Sequence, residues 1–237
     1  SFPELAIGGS MNMAVTISNI GTSNLTITSA SVVEPFYCNV SVAIAPGQSE
    51  EVVVSFEPNA IDSYSSTLTF NVDGDFTGDN TLNLSGSSIG LASSFYQGFD
   101  ASTSMPTGWN AINSPTHAFT KAEVKADQYG SYSAPNAVKF TVFTEHNFPV
   151  TLVTPGVDGF DQNTLTFYAK KGDALYDVNL RVGLMNNPYD ANSFEEIQTI
   201  EITDEHQEFQ ISFPADNTKP YIAFRHSENT EENSVTS

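Results

Sequence analysis

The sequence predicts an all-β chain. Seventeen Phe and nine Tyr stand among many Thr, Ser, Asn and Val, the aromatic and β-branched side chains that suit a pleated, half-buried surface. No stretch sustains a helical period, and short alternating segments recur between turn residues. A length of 237 residues is enough for two ordinary β domains, each with its own core.

Residues 1–88 read as about seven short strands. Ala14-Val-Thr-Ile-Ser-Asn-Ile20 alternates, Gly21-Thr-Ser-Asn24 turns the chain, and Leu25-Thr-Ile-Thr28 resumes. Ile44-Ala-Pro-Gly-Gln48 is a tight turn feeding Glu51-Val-Val-Val-Ser-Phe56, which Pro58 ends because proline cannot donate to a ladder. Ser66-Thr-Leu-Thr-Phe-Asn-Val72 and Thr81-Leu-Asn-Leu-Ser85 flank Asp73-Gly-Asp75 with Asp79, read as a hairpin loop. Strands at this spacing predict an immunoglobulin-like sandwich. Ser87-Ser-Ile-Gly-Leu-Ala-Ser-Ser94 is small and polar, and 89–94 is expected to link the domains.

Beyond it the strands lengthen and basic residues appear. Asn136–Phe143, Thr164–Ala169, Tyr176–Leu184, Glu208–Phe213 and Tyr221–Phe224 are expected strands, and 190–196 a surface loop.

Charge excludes some partners. Eight Lys plus Arg oppose 28 Asp plus Glu, a formal charge of −20, and every Lys and Arg lies at Lys121 or later. Such a surface repels phosphate backbones and anionic lipid, which argues against nucleic acid. No apolar run is long enough to cross a membrane. Cys38 is the single cysteine, so no intrachain disulfide forms, and it reads as a small, half-buried apolar residue. The chain starts at Ser1 without a leader and is expected to be a processed or excised piece of a longer protein.

Motif order adds family resemblances. Ser18-Asn-Ile-Gly-Thr22, Leu25-Thr-Ile27, Ile44-Ala-Pro-Gly-Gln48, Val54-Ser-Phe-Glu-Pro58, Tyr64-Ser-Ser-Thr-Leu68 and Leu84-Ser-Gly86 together resemble choice-of-anchor D repeats, related to the ASPM/SPD-2/hydin immunoglobulin-like modules. Asp62-Ser63 stands where a glycine turn is usual. Phe99-Asp100, Pro106-Thr-Gly-Trp109, Leu152-Val-Thr-Pro155, Leu165-Thr-Phe167, Glu208-Phe-Gln-Ile211 and Tyr221-Ile-Ala-Phe-Arg-His226 resemble the cleaved-adhesin, or choice-of-anchor J, family of gingipain-associated adhesins. That resemblance implies a jelly-roll β-sandwich over 95–237, bacterial surface export (often by the type IX route) and a role in adhesion. Family members continue into an Asp-rich strand, so the resemblance implies a jelly roll truncated before its usual last strand, with an open sheet edge for self-association.

For chemistry, there is no Gly-x-Ser-x-Gly elbow, His-Glu-x-x-His helix or phosphate-cradling loop. His117, His146, His206 and His226 lack metal-ligand spacing. Glu195-Glu196 diverge if on a strand. The cleaved-adhesin resemblance places a calcium near the Asp100 entry loop, where Asp100 is the candidate ligand. Trp109 reads as a core residue more than as a sugar platform, with Tyr189 and Tyr96 as alternative platforms. Along Tyr221–His226, Ile222, Phe224 and His226 share one face and Tyr221, Ala223 and Arg225 the other. Arg225 is one of two arginines, expected to pair with a carboxylate or to recognise ligand on a sheet face.

The functional expectation is a non-enzymatic structural and adhesive pair of domains in a larger secreted or surface-displayed bacterial protein. Its first domain is a spacer, and its second binds a cell-surface protein or glycan. The rivals are a carbohydrate-binding appendage of a secreted hydrolase and a subunit of a self-associating filament.

Overall fold

A computed structural model describes residues 1–74, 76–126, 130–142, 148–160, 163–172 and 178–226. The chain is all-β and divides into two compact units, Ser1–Gly90 and Leu91–Ser237.

The first unit is an immunoglobulin-like sandwich. Its strands are β1 (Leu5–Ala6), β2 (Met11–Ser18), β3 (Leu25–Ser31), β4 (Phe36–Tyr37), β5 (Val42–Ile44), β6 (Ser49–Phe56), β7 (Ser63–Asp73) and β8 (Thr81–Ile89). One sheet has the order β1-β8-β7-β3-β5 and the other β2-β6-β4. Period-two alternation decides which residues enter the core. Met11, Met13, Val15 and Ile17 of β2 face inward beside Val52, Val54 and Phe56 of β6, in unbroken register from Met11↔Phe56 to Ser18↔Ser49. Phe56 stacks on Phe36 at 5.0 Å between ring centroids, with Phe2 at 5.4 Å and Tyr64 edge-on at 5.7 Å. Asn19 is buried, and its Nδ2 donates to Ser23 O and Ile44 O, each at 2.8 Å, while its Oδ1 accepts from Gly21 N. One amide thus ties the β2–β3 turn to β5. Cys38 is half-buried against this core, and burial pushes its thiol up.

The stretch expected as linker is ordered at both ends. Ile89 closes β8, while Ala92 N donates to Gly156 O at 2.9 Å and Ala92 O accepts from Asp158 N, an isolated parallel bridge within the second unit.

The second unit is a jelly-roll sandwich of β9 (Asn110–Ile112), β10 (Lys121–Ala126), β11 (Asn136–Thr141), β12 (Thr151–Gly156), β13 (Thr164–Ala169), β14 (Val178–Met185), β15 (Glu195–Ile202), β16 (Gln207–Ser212) and β17 (Tyr221–His226). A five-stranded sheet, β15-β14-β17-β12-β9, packs its Leu152, Val182, Leu184, Ile200, Ile222 and Phe224 against Val138 and Phe140 of ribbon β10-β11 and Leu165, Phe167, Phe209 and Ile211 of ribbon β13-β16. The expectation of a missing closing strand concerns the chain that follows β17, and residues 227–237 lie outside the described residues.

Two departures from the sequence expectation have clear causes. Strand β12 carries Pro155 next to its last residue, and proline lacks the N–H a ladder needs. The register shifts between Val153 and Gly156, and Ile222 N donates instead to the buried Thr154 Oγ1 at 3.2 Å. Residues 195 and 196, expected in a loop, open β15 because Glu195 and Glu196 pair with Leu184 and Gly183 of β14.

Gly86 marks a close approach. A Cβ there would lie 2.9 Å from Phe56 Cε1 and Cζ, and that ring is held by three other aromatics. Overpacking of this kind costs about 1–3 kcal/mol. Gly86→Ala should therefore lower the urea midpoint of the first domain's unfolding by that equivalent. An unchanged midpoint would show that Phe56 can move aside.

Candidate functional site

The most built feature outside the cores lies on the outer face of the five-stranded sheet. Strand β17 is its middle strand, and Tyr221, Ile222, Ala223 and Phe224 are all buried. The core covers Ile222 and Phe224. The other face is covered by the segment 187–194, which holds a 3-10 turn, Ala191–Ser193, capped by Asp190. Phe194 fits where Gly183 leaves no side chain, since a Cβ on Gly183 would lie 2.7 Å from the Phe194 ring.

Arg225 closes this arrangement. Its Nε donates to Thr151 Oγ1 at 3.0 Å, its Nη2 donates to Ala191 O at 2.5 Å, and its guanidinium carbon lies 4.0 Å from the centre of the Phe194 ring. Burial, and then Arg181 beside it on the ladder, lowers its pKa from the ordinary guanidinium value. Among the described residues no carboxylate pairs with Arg225, which corrects the expected salt bridge. A carbonyl, a hydroxyl and a ring take that place because the strand end lies under the 187–194 segment. Arg181 instead reaches Glu196 Oε2 at 3.6 Å. Tyr189 sits in the segment Arg225 holds, 42% exposed, with its N–H on Asn187 Oδ1. The structure therefore brings the two ligand-binding candidates to one neighbourhood, with Arg225 turned to holding the loop.

Asp100 belongs to another loop. The buried Asn136 of β11 donates from Nδ2 to Phe99 O at 3.1 Å, Asp100 O at 3.3 Å and Ser102 O at 3.1 Å. Phe99, at φ 61, is the one non-glycine residue with positive φ among the described residues. Three hard carbonyl oxygens thus converge on one point, with the exposed Asp100 carboxylate in the same turn. Carbonyls and carboxylates are the donors calcium takes, but these three carbonyls already accept from the Asn136 amide, which occupies their point of convergence. Among the described residues no group of three or more His, Cys, Asp or Glu is placed to hold a metal.

Trp109 is half-buried against the second core, edge-on to Phe95 and Phe99 at 5.7 and 4.9 Å, and also lines a shallow pocket of about 260 Å³ with Met105, Asn113 and Glu123. Tyr96 is exposed. His117 Nδ1 lies 2.9 Å from Thr120 Oγ1, and His206 Nε2 donates to Gly130 O. His226 ends β17, and His146 lies outside the described residues. Glu195 pairs with Lys219, whereas Glu196 accepts from Thr199 Oγ1 at 2.6 Å. In the β7–β8 hairpin, Asp79 Oδ1 accepts from Thr81 N and Oγ1, bonds that hold its carboxyl below the usual range. Asp73 ends β7, and Asp75 lies outside the described residues.

Sequence reading missed one cluster. Tyr132 stacks on Tyr168 with centroids 3.7 Å apart and planes 5° from parallel, and the Tyr168 hydroxyl donates to Glu208. That bond, then the one to Tyr132, raises the Tyr168 pKa well above the usual phenol range, while Glu208 is drawn down. Tyr132 and Tyr168 are 36 positions apart with no shared motif. The only signal was the outward parity of Tyr168 on β13.

Residues 1–87 match the model of the family described as HYDIN/CFA65/VesB-like, Ig-like domain. Among solved structures, the K1 cleaved adhesin domain of Lys-gingipain from Porphyromonas gingivalis W83 is 20% identical, over 55% of this chain and 85% of that one, at a TM-score of 0.45. SSP-19, an MSP-domain protein like family member in Caenorhabditis elegans, is 12% identical over 36% of this chain and 91% of that one, at 0.27. The secreted serine protease VesC from Vibrio cholerae is 11% identical over 95% of this chain, which spans 44% of that protein, at 0.28. Comparison with curated proteins gives no match.

Replacing Arg225 with Ala removes two hydrogen bonds and a cation–π contact, a loss of about 1–3 kcal/mol. Backbone exchange at 191–194 should accelerate, and the melting temperature should fall. Unchanged exchange in Arg225→Ala would return Arg225 to a ligand-binding role.

Proposed function

We propose that this chain is a non-enzymatic pair of domains from a longer secreted or surface-displayed bacterial protein. The immunoglobulin-like domain serves as a spacer and the jelly roll carries the adhesive surface. One observation carries the reading. Arg225, which the sequence marks as a ligand-binding candidate, is engaged in holding 187–194 onto the sandwich, and the buried Asn136 likewise holds 99–102. The family match of residues 1–87 to an Ig-like domain supports the spacer role. Among the described residues no helix is long and apolar enough to cross a membrane. The charge of −20 disfavours anionic partners, so a surface protein or a neutral glycan suits it better than nucleic acid.

Calcium belongs to the same proposal. Bound at the Asp100 loop, it would take the Asp100 carboxylate together with backbone carbonyl lone pairs of the same turn that Asn136 leaves free. Millimolar calcium should then raise the melting temperature of the full chain more than sodium at equal ionic strength, because ligation adds mass-action stability to screening. Asp100→Ala should remove the excess. Equal effects of the two salts would leave screening alone and withdraw the ion.

For the reading as a whole, the chain displayed on beads should retain them on bacterial or host cell surfaces. It should give no turnover of peptides, esters or polysaccharides. Turnover abolished by a single Ser, His or Glu substitution would overturn it.

A further inference from the structure

We infer that the outer face of ribbon β13-β16, with the Tyr132 ring at one end, is a binding platform for a neutral saccharide. The ribbon pairs Thr164 with Ser212, Thr166 with Gln210 and Tyr168 with Glu208. Because side chains alternate, these six share the face turned away from the core, while Leu165, Phe167, Phe209 and Ile211 turn inward. All six are exposed. From Thr164 to Tyr168 the strip runs about 13 Å at the usual strand rise, room for more than one sugar ring.

Tyr132 supplies the aromatic plane. One face of its ring lies on Tyr168, yet Tyr132 is 59% exposed, so the opposite face meets solvent. The plane is fixed before any ligand arrives. Tyr168 is held by Glu208 through its hydroxyl, and the His206 ring meets Tyr132 edge-on at 5.6 Å while its Nε2 donates to Gly130 O at 3.1 Å. A pre-ordered ring loses little side-chain entropy on binding. Its face offers an apolar surface to the C–H side of a pyranose, while Gln210 and Thr166 offer an amide and a hydroxyl to the sugar hydroxyls along the strip.

Charge selects the neutral class. The strip carries one charge in a chain of net −20, and both oxygens of that carboxylate already accept. Glu208 Oε2 takes the Tyr168 hydroxyl, and Oε1 takes Gln210 Nε2 at 2.9 Å. Its charge still repels acidic sugars, and its lone pairs are too engaged to favour a cationic ligand. The inference extends the adhesive reading by naming a site and a ligand class. It is independent of calcium and of Arg225.

The test is a glycan array of neutral and acidic oligosaccharides, followed by titration of the full chain with the best hit. Neutral sugars should bind, and binding should hold between low and physiological salt. Tyr132→Ala should weaken it by about tenfold or more, Tyr132→Phe should keep it because the ring remains, and Gln210→Ala should weaken it several-fold. Circular dichroism melting of each variant establishes that it is folded. A blank array, hits indifferent to Tyr132→Ala and Gln210→Ala, or preference for acidic sugars would overturn the site. A blank array with beads still retained on cells would overturn this platform alone and leave adhesion through another surface.

Discussion

Strand β17 must be covered on both faces, and the second domain is organised around that demand. A middle strand of an antiparallel sheet needs only one apolar face when the other meets water. Here Tyr221, Ala223 and the flanking Gly183 and Thr151 require a second cover. The 187–194 segment supplies it, but the segment has only a 3-10 turn of its own, with Pro188 buried at one end and Phe194 packed over Gly183 at the other. Arg225 resolves the difficulty because a guanidinium both stacks on a ring and donates in plane. A lysine at 225 could not hold Thr151 Oγ1, Ala191 O and the Phe194 face together.

The first domain reaches the same end by a different route. It contains no Lys or Arg, so no clamp of this kind is available. Its order rests on the Phe2, Phe36, Phe56 and Tyr64 cluster and on neutral amides such as Asn19. That explains the tight fit at Gly86, where the absence of a side chain admits the Phe56 ring. The ion pairs Lys121–Glu123, Arg181–Glu196 and Lys219–Glu195 all lie in the second domain and are partly exposed. Pairs of this kind contribute little, so burial holds both sandwiches.

Strands whose parity alternates cleanly were legible in the sequence. Thr164–Ala169 was read with its observed bounds, and Tyr221–Phe224 fell short by two residues. Strand β12 was quoted as a motif yet not read as a strand, because Pro155 argues against one and only the Thr154 hydroxyl makes the bulge workable. The onset of β15 was hidden by two adjacent glutamates, since an edge strand tolerates charge that a central one would not. The site was less legible than the fold. Arg225 was singled out as a ligand-binding candidate, but the partners that make it a loop clamp come from β12 and from a loop 31–34 positions upstream, contacts that no local pattern encodes.

The same reasoning explains why the tyrosine platform was invisible and why its charge matters. Tyr132 precedes β11, Tyr168 lies on β13 and Glu208 on β16, so three separate elements meet only when the sandwich closes. In a chain of −20 an exposed carboxylate ordinarily projects its field into solvent and attracts cations. Glu208 accepts instead from a phenol and an amide, neutral donors that stabilise its charge while fixing the ring above it. A surface so arranged gains little from electrostatic steering, because its remaining groups are hydroxyls, an amide and an aromatic plane. Long-range attraction by the field as a whole favours cations, whereas short-range complementarity on this strip favours uncharged hydroxyl-bearing ligands. Since screening removes only the first effect, salt separates diffuse counter-ion attraction from recognition on the strip.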